Sequence, residues 1–146
     1  MRRYGARPDP DRRYTARPGA YAILPRGGRV LVTLQSGPEP ELQLPGGGID
    51  PGESAISALH REVEEETGWA IAAPRRVGMF RRFAYLPEYD LHAEKICHVF
   101  VARPLLQRGP PTEPGHCALW MPPAAAVTRL ANPGDAALLR QVMGRR

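Results

Sequence analysis

Near the middle of the chain the sequence reads Arg61-Glu62-Val63-Glu64-Glu65-Glu66-Thr67-Gly68. On a helix, Glu62, Glu65 and Glu66 stand at i, i+3 and i+4, fall within about 100° of one another and share a face. Like charges four residues apart cost about 0.2–0.5 kcal/mol, and carboxylates in a last turn also oppose the helix dipole. Helix stability alone does not select such an arrangement. A divalent cation removes the conflict, because clustered carboxylates supply the hard oxygen donors that Mg²⁺ or Mn²⁺ accepts. Arg61, four residues before Glu65, is placed to orient that carboxylate and leave one oxygen for a metal, whereas Glu64 turns towards solvent. An acidic triplet by itself is more often a hydrated helix end, so its surroundings decide.

Those surroundings have to hold the acidic face in place. Ser54 is an N-cap and Gly68 a C-cap for a helix from about Ser54 to Thr67, whose apolar stripe of Ile56, Leu59 and Val63 is expected to pack on a sheet. Upstream, the apolar runs Ala20 to Leu24 and Val30 to Leu34 flank Gly27-Gly28 and read as a hairpin. The triple glycine Gly46, Gly47 and Gly48 permits close backbone approach. Downstream, Val77 to Tyr85 and Ile96 to Ala102 read as strands. The polar stretch between them, with Pro87, Glu88 and Asp90, is a candidate substrate loop. After a proline-rich break at 110–114, Ala118 to Met121 reads as a short strand. Ala124 to Leu130 and Asp135 to Met143 read as helices separated by Asn132-Pro133-Gly134. This order predicts an α/β fold with a mixed sheet between helices on both faces.

With 146 residues and 42% apolar composition the chain is long enough for one domain with an ordinary core. It has no apolar stretch of membrane-spanning length and no secretory signal pattern, and its two cysteines suggest a reducing compartment. A cytoplasmic protein is therefore expected. Arginine supplies 19 of the 20 basic side chains. Residues 1 to 17 hold six arginines against two aspartates, which accounts for +4 of the formal +5. The basicity describes a terminus more than a binding face. Residues 1–16, broken by Pro8 and Pro10, are read as a mobile tail ahead of a domain over 17–146. The alternative is that these arginines gather the phosphates of a substrate or an RNA end.

Taken together, Gly47, five residues, Glu53, seven residues, Arg61-Glu62, Val63, one residue, Glu65-Glu66, one residue, Gly68 and Trp69 resemble the Nudix box. Seven fixed identities at this spacing arise by chance on the order of once in a million such chains. The resemblance implies a Nudix-type α/β/α sandwich that hydrolyses the diphosphate linkage of a nucleoside diphosphate joined to another group, with Mg²⁺ or Mn²⁺. It implies that Glu62, Glu65 and Glu66 hold metal, that Gly46, just before the box glycine, lends a carbonyl, and that Glu53 is an auxiliary carboxylate. Metals would neutralise charge on the attacking and leaving oxygens and acidify a water, whose proton needs a base. Glu62 is the first choice for that base. Glu94 or Glu113 is the alternative base or ligand from a loop opposite the helix.

Arg81, Phe83 and Tyr85 lie at i, i+2 and i+4 of a strand and share a face, which suits phosphate binding and base stacking. The position of Tyr85 beyond the box also resembles the diadenosine-polyphosphate subgroup, whereas Pro87 is out of register for ADP-ribose hydrolysis. Cys97-His98 and His116-Cys117 cannot each chelate zinc as adjacent strand residues, and His60 and His92 read as surface residues. The expected partner is a small nucleotide or nucleotide derivative such as a dNTP, ADP-ribose or a diadenosine polyphosphate. No membrane is expected, and no nucleic acid beyond an RNA 5′ end; a homodimer is compatible with the sequence. The other readings are a nucleotide-sensing regulator that has kept the fold without catalysis, and removal of pyrophosphate from RNA 5′ ends.

Overall fold

Alternation of side chains along β2 (Thr15–Ile23) organises the molecule, because it feeds two separate cores. The structure is a computed structural model that describes residues 1–144; the last two residues of the expected domain, 145 and 146, lie outside the described residues. Ala20 and Ala22 of β2 point into one core with Leu31, Leu59, Val63, Phe100 and Ala102. Ile23 points into the other with Val30, Val32, Phe80, Cys97, Val99 and Leu139. The first core lies under α1 (Ala55–Thr67), and the second under α2 (Pro123–Arg129) and α3 (Pro133–Met143). The helices therefore cover both faces, as the order of elements predicts.

The remaining strands are β1 (Arg2–Arg3), β3 (Pro25–Arg26), β4 (Arg29–Gln35), β5 (Glu41–Gln43), β6 (Gly46–Gly48), β7 (Trp69–Leu86), β8 (Leu91–Gln107) and β9 (His116–Met121). The mixed sheet runs β1-β7-β8-β2-β6, with β1 parallel to β7, β2 parallel to β8, and the other pairs antiparallel. A second, antiparallel sheet joins β3, β4 and β5, with β9 also pairing β4. It brings β9, and with it His116, alongside Thr33 and Gln35 of β4. Two glycines seat α3 on the mixed sheet. A Cβ on Gly134 would fall 2.4 Å from the Phe80 ring, and one on Gly78 would fall 2.6 Å from Leu138.

Helix α1 has the caps expected of it. Ser54 Oγ accepts from the Ser57 N–H at 3.0 Å. Gly68, at φ 78°, donates its N–H to the Glu64 carbonyl at 2.8 Å. Its stripe is narrower than the periodicity suggests: Leu59 and Val63 are buried, but Ile56 in the first turn is 46% exposed, and the buried positions of the last turn are Glu66 and Thr67. The helix leans onto the sheet with its C-terminal half, so its acidic end is the packed end.

Two other expectations change. The polar stretch between the predicted strands is not a long loop: β7 runs on to Leu86, β8 starts at Leu91, and a 3-10 turn at Pro87–Tyr89 joins them. The ladder pairs Phe83 with Glu94 and Tyr85 with His92. Backbone pairing satisfies the peptide groups whatever the side chains are, so a polar hairpin extension escapes a reading based on hydrophobicity. β7 also starts at Trp69, well before Val77, and absorbs Pro74 in register shifts where Ala73 takes φ 52°.

In the arginine-rich N-terminal segment, residues 2–4 and Tyr14 contact β7. Arg2 and Arg3 pair with Phe80 and Arg81 of β7. Tyr4 meets Phe80 edge-on at 5.3 Å and Tyr14 meets Phe83 at 4.8 Å. β2 is already paired at Thr15. Arginines dominate the composition of the segment, but its two tyrosines dock it.

Candidate functional site

Arg61 is the hub of the acidic helix face. Its Nε donates to Glu53 Oε2 and its Nη2 to Glu53 Oε1, both at 2.9 Å, a two-pronged pair. Nη2 also donates to the Gly48 carbonyl at 3.1 Å, and Nη1 to Glu62 Oε1 at 2.9 Å and Glu65 Oε2 at 3.5 Å. One guanidinium thus ties the loop before α1 to two of the three clustered carboxylates. Only the third, Glu66, is held without it: its Oε1 accepts the Gly46 N–H at 3.0 Å.

The triple glycine is explained by what approaches it. A Cβ on Gly47 would lie 2.5 Å from the Glu62 carboxylate, and one on Gly46 would strike the Ala20 carbonyl and the Tyr21 backbone of β2. β6 therefore fits between β2 and α1 only without side chains at these positions. Gly46 adds a φ of 150° that residues with a Cβ rarely adopt.

Burial divides the carboxylates electrostatically. Hydrogen bonds from Arg61 and from the Asp50 backbone hold Glu53 down at about 2, a committed anion, and Glu53 in turn raises Arg61. Desolvation pushes Glu62 up despite Arg61 beside it. Glu66 rises to about 8, first from burial and then from Glu62, Glu113 and Glu65, with only the Gly46 N–H opposing. The loop after β8 adds to the negative charge. The Thr112 and Glu113 N–H groups both donate to the Glu65 carbonyl at 2.8 Å, and the Glu113 charge acts on Glu62 and Glu66. Of the two alternative loop carboxylates, Glu113 is brought to the cluster, whereas Glu94 faces Arg81 at 3.4 Å on the β7–β8 hairpin.

The donor set suits a hard cation: carboxylate oxygens on one helix face, one of them buried and lacking a counter-charge. Among the described residues no three acidic or histidine groups converge as they stand on a common metal position. Arg61 Nη1 lies between Glu62 and Glu65, so these side chains must turn from it to share an ion.

The sequence matches the NUDIX domain family over residues 14–142, most of the chain. The chain belongs to the Nudix family. Its fold is similar to that of a Nudix hydrolase from Nitrosomonas europaea, at a TM-score of 0.73 and 19% identity over 89% of this chain and 90% of that one. It is also similar to a MutT Nudix hydrolase from Burkholderia pseudomallei, at 0.67 and 24% identity over 88% and 98%. A Bacillus subtilis (strain 168) protein provisionally named an 8-oxo-dGTP diphosphatase is 36% identical over 73 residues, 50% of this chain and 49% of that protein. The chain thus spans about half the length of the curated relative that it matches.

In this Nudix chain the strand face expected to bind substrate is already engaged. Arg81 lies over the Phe83 ring at 5.7 Å and pairs with Glu94, Tyr14 covers Phe83, and the Tyr85 hydroxyl donates to Asp90 Oδ1 at 2.6 Å. Two polar features were not singled out from sequence. One is the buried contact of His116 with Thr33 and Glu66. In the sequence His116 reads only as half of a His-Cys pair, and nothing local links residue 116 to residues 33 and 66. The other is Asp135 in the first turn of α3, 4% exposed, on the core side that holds Cys97. It reads as an ordinary helix N-terminal acid until the fold buries it.

Proposed function

We propose that this Nudix protein is a pyrophosphohydrolase that uses Mg²⁺ or Mn²⁺ to cleave the diphosphate linkage of a nucleotide or nucleotide derivative. The observation that carries this reading is the helix face of Glu62, Glu65 and Glu66, whose buried member is raised to about 8 beside a Gly46 backbone amide and a further carboxylate, Glu113. Glu62, Glu65 and Glu66, with the Gly46 carbonyl, would hold the cation, and Glu113 would stand as an additional ligand. When bound, the metal supplies charge neutralisation for the pyrophosphate oxygens and acidifies a water.

The chain's own residues do the rest. Arg61, gripped by Glu53, sets the direction of the Glu62 and Glu65 carboxylates. Glu62, whose proton affinity burial raises, is the side chain assigned to take the proton of the attacking water. Arg81, with Phe83 and Tyr85, remains the proposed contact for the distal part of the substrate; opening that face requires Arg81 to exchange Glu94 for a phosphate. Likeness to the Bacillus subtilis relative puts an oxidised deoxynucleoside triphosphate first in a substrate screen. The screen also includes unmodified dNTPs, ADP-ribose, diadenosine polyphosphates and 5′-triphosphorylated RNA.

The test is turnover of these compounds with and without Mg²⁺ or Mn²⁺, in the native chain and in Glu65→Gln. Cleavage is expected to require the metal. Loss of one charged ligand is expected to lower kcat by at least about 10²-fold, since each 1.36 kcal/mol of transition-state stabilisation is a factor of ten. The amide spectrum should be retained, because Glu65 is a part-exposed side chain. Turnover that survives excess chelator, or a fully active Glu65→Gln at limiting Mg²⁺, refutes the reading.

A further inference from the structure

We propose that His116 is the positioning residue for Glu66: Thr33 holds its Nδ1, and its Nε2–H faces Glu66 Oε2 and fixes the plane in which that carboxylate meets a cation. The inference rests on the metal reading above but concerns a residue outside the Nudix box, on β9 of the second sheet.

Three observations carry it. His116 Nε2 lies 3.5 Å from Glu66 Oε2, and the two side chains are 6% and 8% exposed, so the contact is shielded from water. Glu66 Oε1 already accepts the Gly46 N–H, so the two oxygens face donors from opposite sides, a backbone amide of β6 and an imidazole of β9. Thr33 Oγ1 lies 2.7 Å from His116 Nδ1, and Thr33 is fully buried.

The third observation fixes the tautomer. A buried hydroxyl has one proton to donate, and leaving it unpaired costs about 1–3 kcal/mol. The side-chain partner of Thr33 is His116. Thr33 therefore donates, Nδ1 accepts, and the ring proton sits on Nε2, the nitrogen 3.5 Å from Glu66 Oε2. With Nδ1 accepting, the ring carries one proton and adds no full positive charge to repel a cation. This chain of hydroxyl, imidazole and carboxylate has the form of the outer-sphere contacts that set ligand direction in metal sites. Register places it: β4 pairs with β9 at Gln35–His116 and Thr33–Ala118, which puts His116 at the end of the second sheet nearest the acidic end of α1.

The experiment has two readouts that need no turnover. The ¹⁵N shifts of the His116 ring in the metal-free protein report the tautomer, and Nε2–H is expected. Mn²⁺ binding, measured by electron paramagnetic resonance on the full chain with Mn²⁺ alone, is expected to weaken about 10–100-fold in His116→Leu. In His116→Gln, whose amide can place a donor near the original Nε2, binding is expected to recover most of that loss. Thr33→Val should weaken binding in the same direction, because it releases the tautomer. If His116→Leu fails to fold, His116→Gln, Thr33→Val and the ring shifts still decide the matter. An Nδ1–H ring overturns the inference, as does native Mn²⁺ affinity in His116→Leu or Thr33→Val together with lost affinity in Glu66→Gln. Native affinity in Glu66→Gln instead sinks the metal reading itself, and the ring shifts then judge the His116 contact alone.

Discussion

Burial of Asp135 is expected to make the stability of this protein fall as pH rises from about 4 to 7. The side chain is buried in the first turn of α3; desolvation lifts it from 3.8 to about 7, against the opposing charges of Arg82 and Lys95 and a Leu44 backbone hydrogen bond. The folded state therefore binds a proton more tightly than the unfolded one. Its contribution is fully present below about pH 4 and is lost as pH rises towards 7. A displacement of about three units at about 1.4 kcal/mol each amounts to about 4 kcal/mol, an order-of-magnitude value for so buried a group. Glu66, raised to about 8, acts in the same sense between about pH 4.5 and 8, so the native slope contains both. The assay is urea unfolding of the metal-free protein from pH 4 to 8, in the native chain and in Asp135→Asn. The amide matches the side chain in shape but does not titrate. The native stability should drop relative to the variant by about 4 kcal/mol from pH 4 to 8. Parallel curves would refute the assignment of a buried, proton-binding Asp135.

Three further outcomes follow from close contacts. Gly47→Ala sets a methyl 2.5 Å from the Glu62 carboxylate; the flexible end of Glu62 should yield, leaving the fold intact by amide spectrum and Mn²⁺ affinity reduced by at least about tenfold, the loss expected when a ligand's support is disturbed. Arg61→Gln removes the main cause of the low Glu53 value, so Glu53 is expected to titrate well above 2, towards its ordinary range, in side-chain carboxyl NMR; an unmoved value would separate Glu53 from Arg61. Gly134→Ala drives a Cβ into the Phe80 ring at 2.4 Å, and overpacking there should cost about 1–3 kcal/mol in urea unfolding.

What was legible in the sequence was local. The helix, its caps at Ser54 and Gly68 and the shared face of Glu62, Glu65 and Glu66 all follow from spacing within one turn or two. The glycine run was legible as a demand for close approach, but not the identity of what approaches: Glu62 and the β2 backbone come from elsewhere in the chain. Pairing set the rest. β8 continues through His92 and Glu94 because β7 lies beside it, a fact their polarity conceals. Tyr4 and Tyr14 dock the N-terminal segment onto Phe80 and Phe83, partners that are far off in sequence and carry no local signature. His116 belongs with these, since it reaches Glu66 only through the register of β9 on β4.

The same distinction explains why Glu53 stands with the carboxylates without sharing their electrostatics. On the proposed metal reading, Arg61 would have to satisfy two demands: neutralising Glu62 and Glu65 without a cation, and letting them go when one binds. A lysine, with one point charge, would follow whichever anion was nearest. The guanidinium divides the task. Nε and Nη2 stay clamped on Glu53, which at about 2 is ionised at any working pH, while Nη1 alone reaches across to Glu62 and Glu65. Turning those two carboxylates towards a metal would therefore cost Arg61 only one arm of its network and leave its contact with the Gly48 carbonyl in place. Glu53 would then be the anchor that keeps Arg61 from competing with the cation, a role that fits a committed anion at the edge of the cluster and a proton-hungry one, Glu66, at its centre.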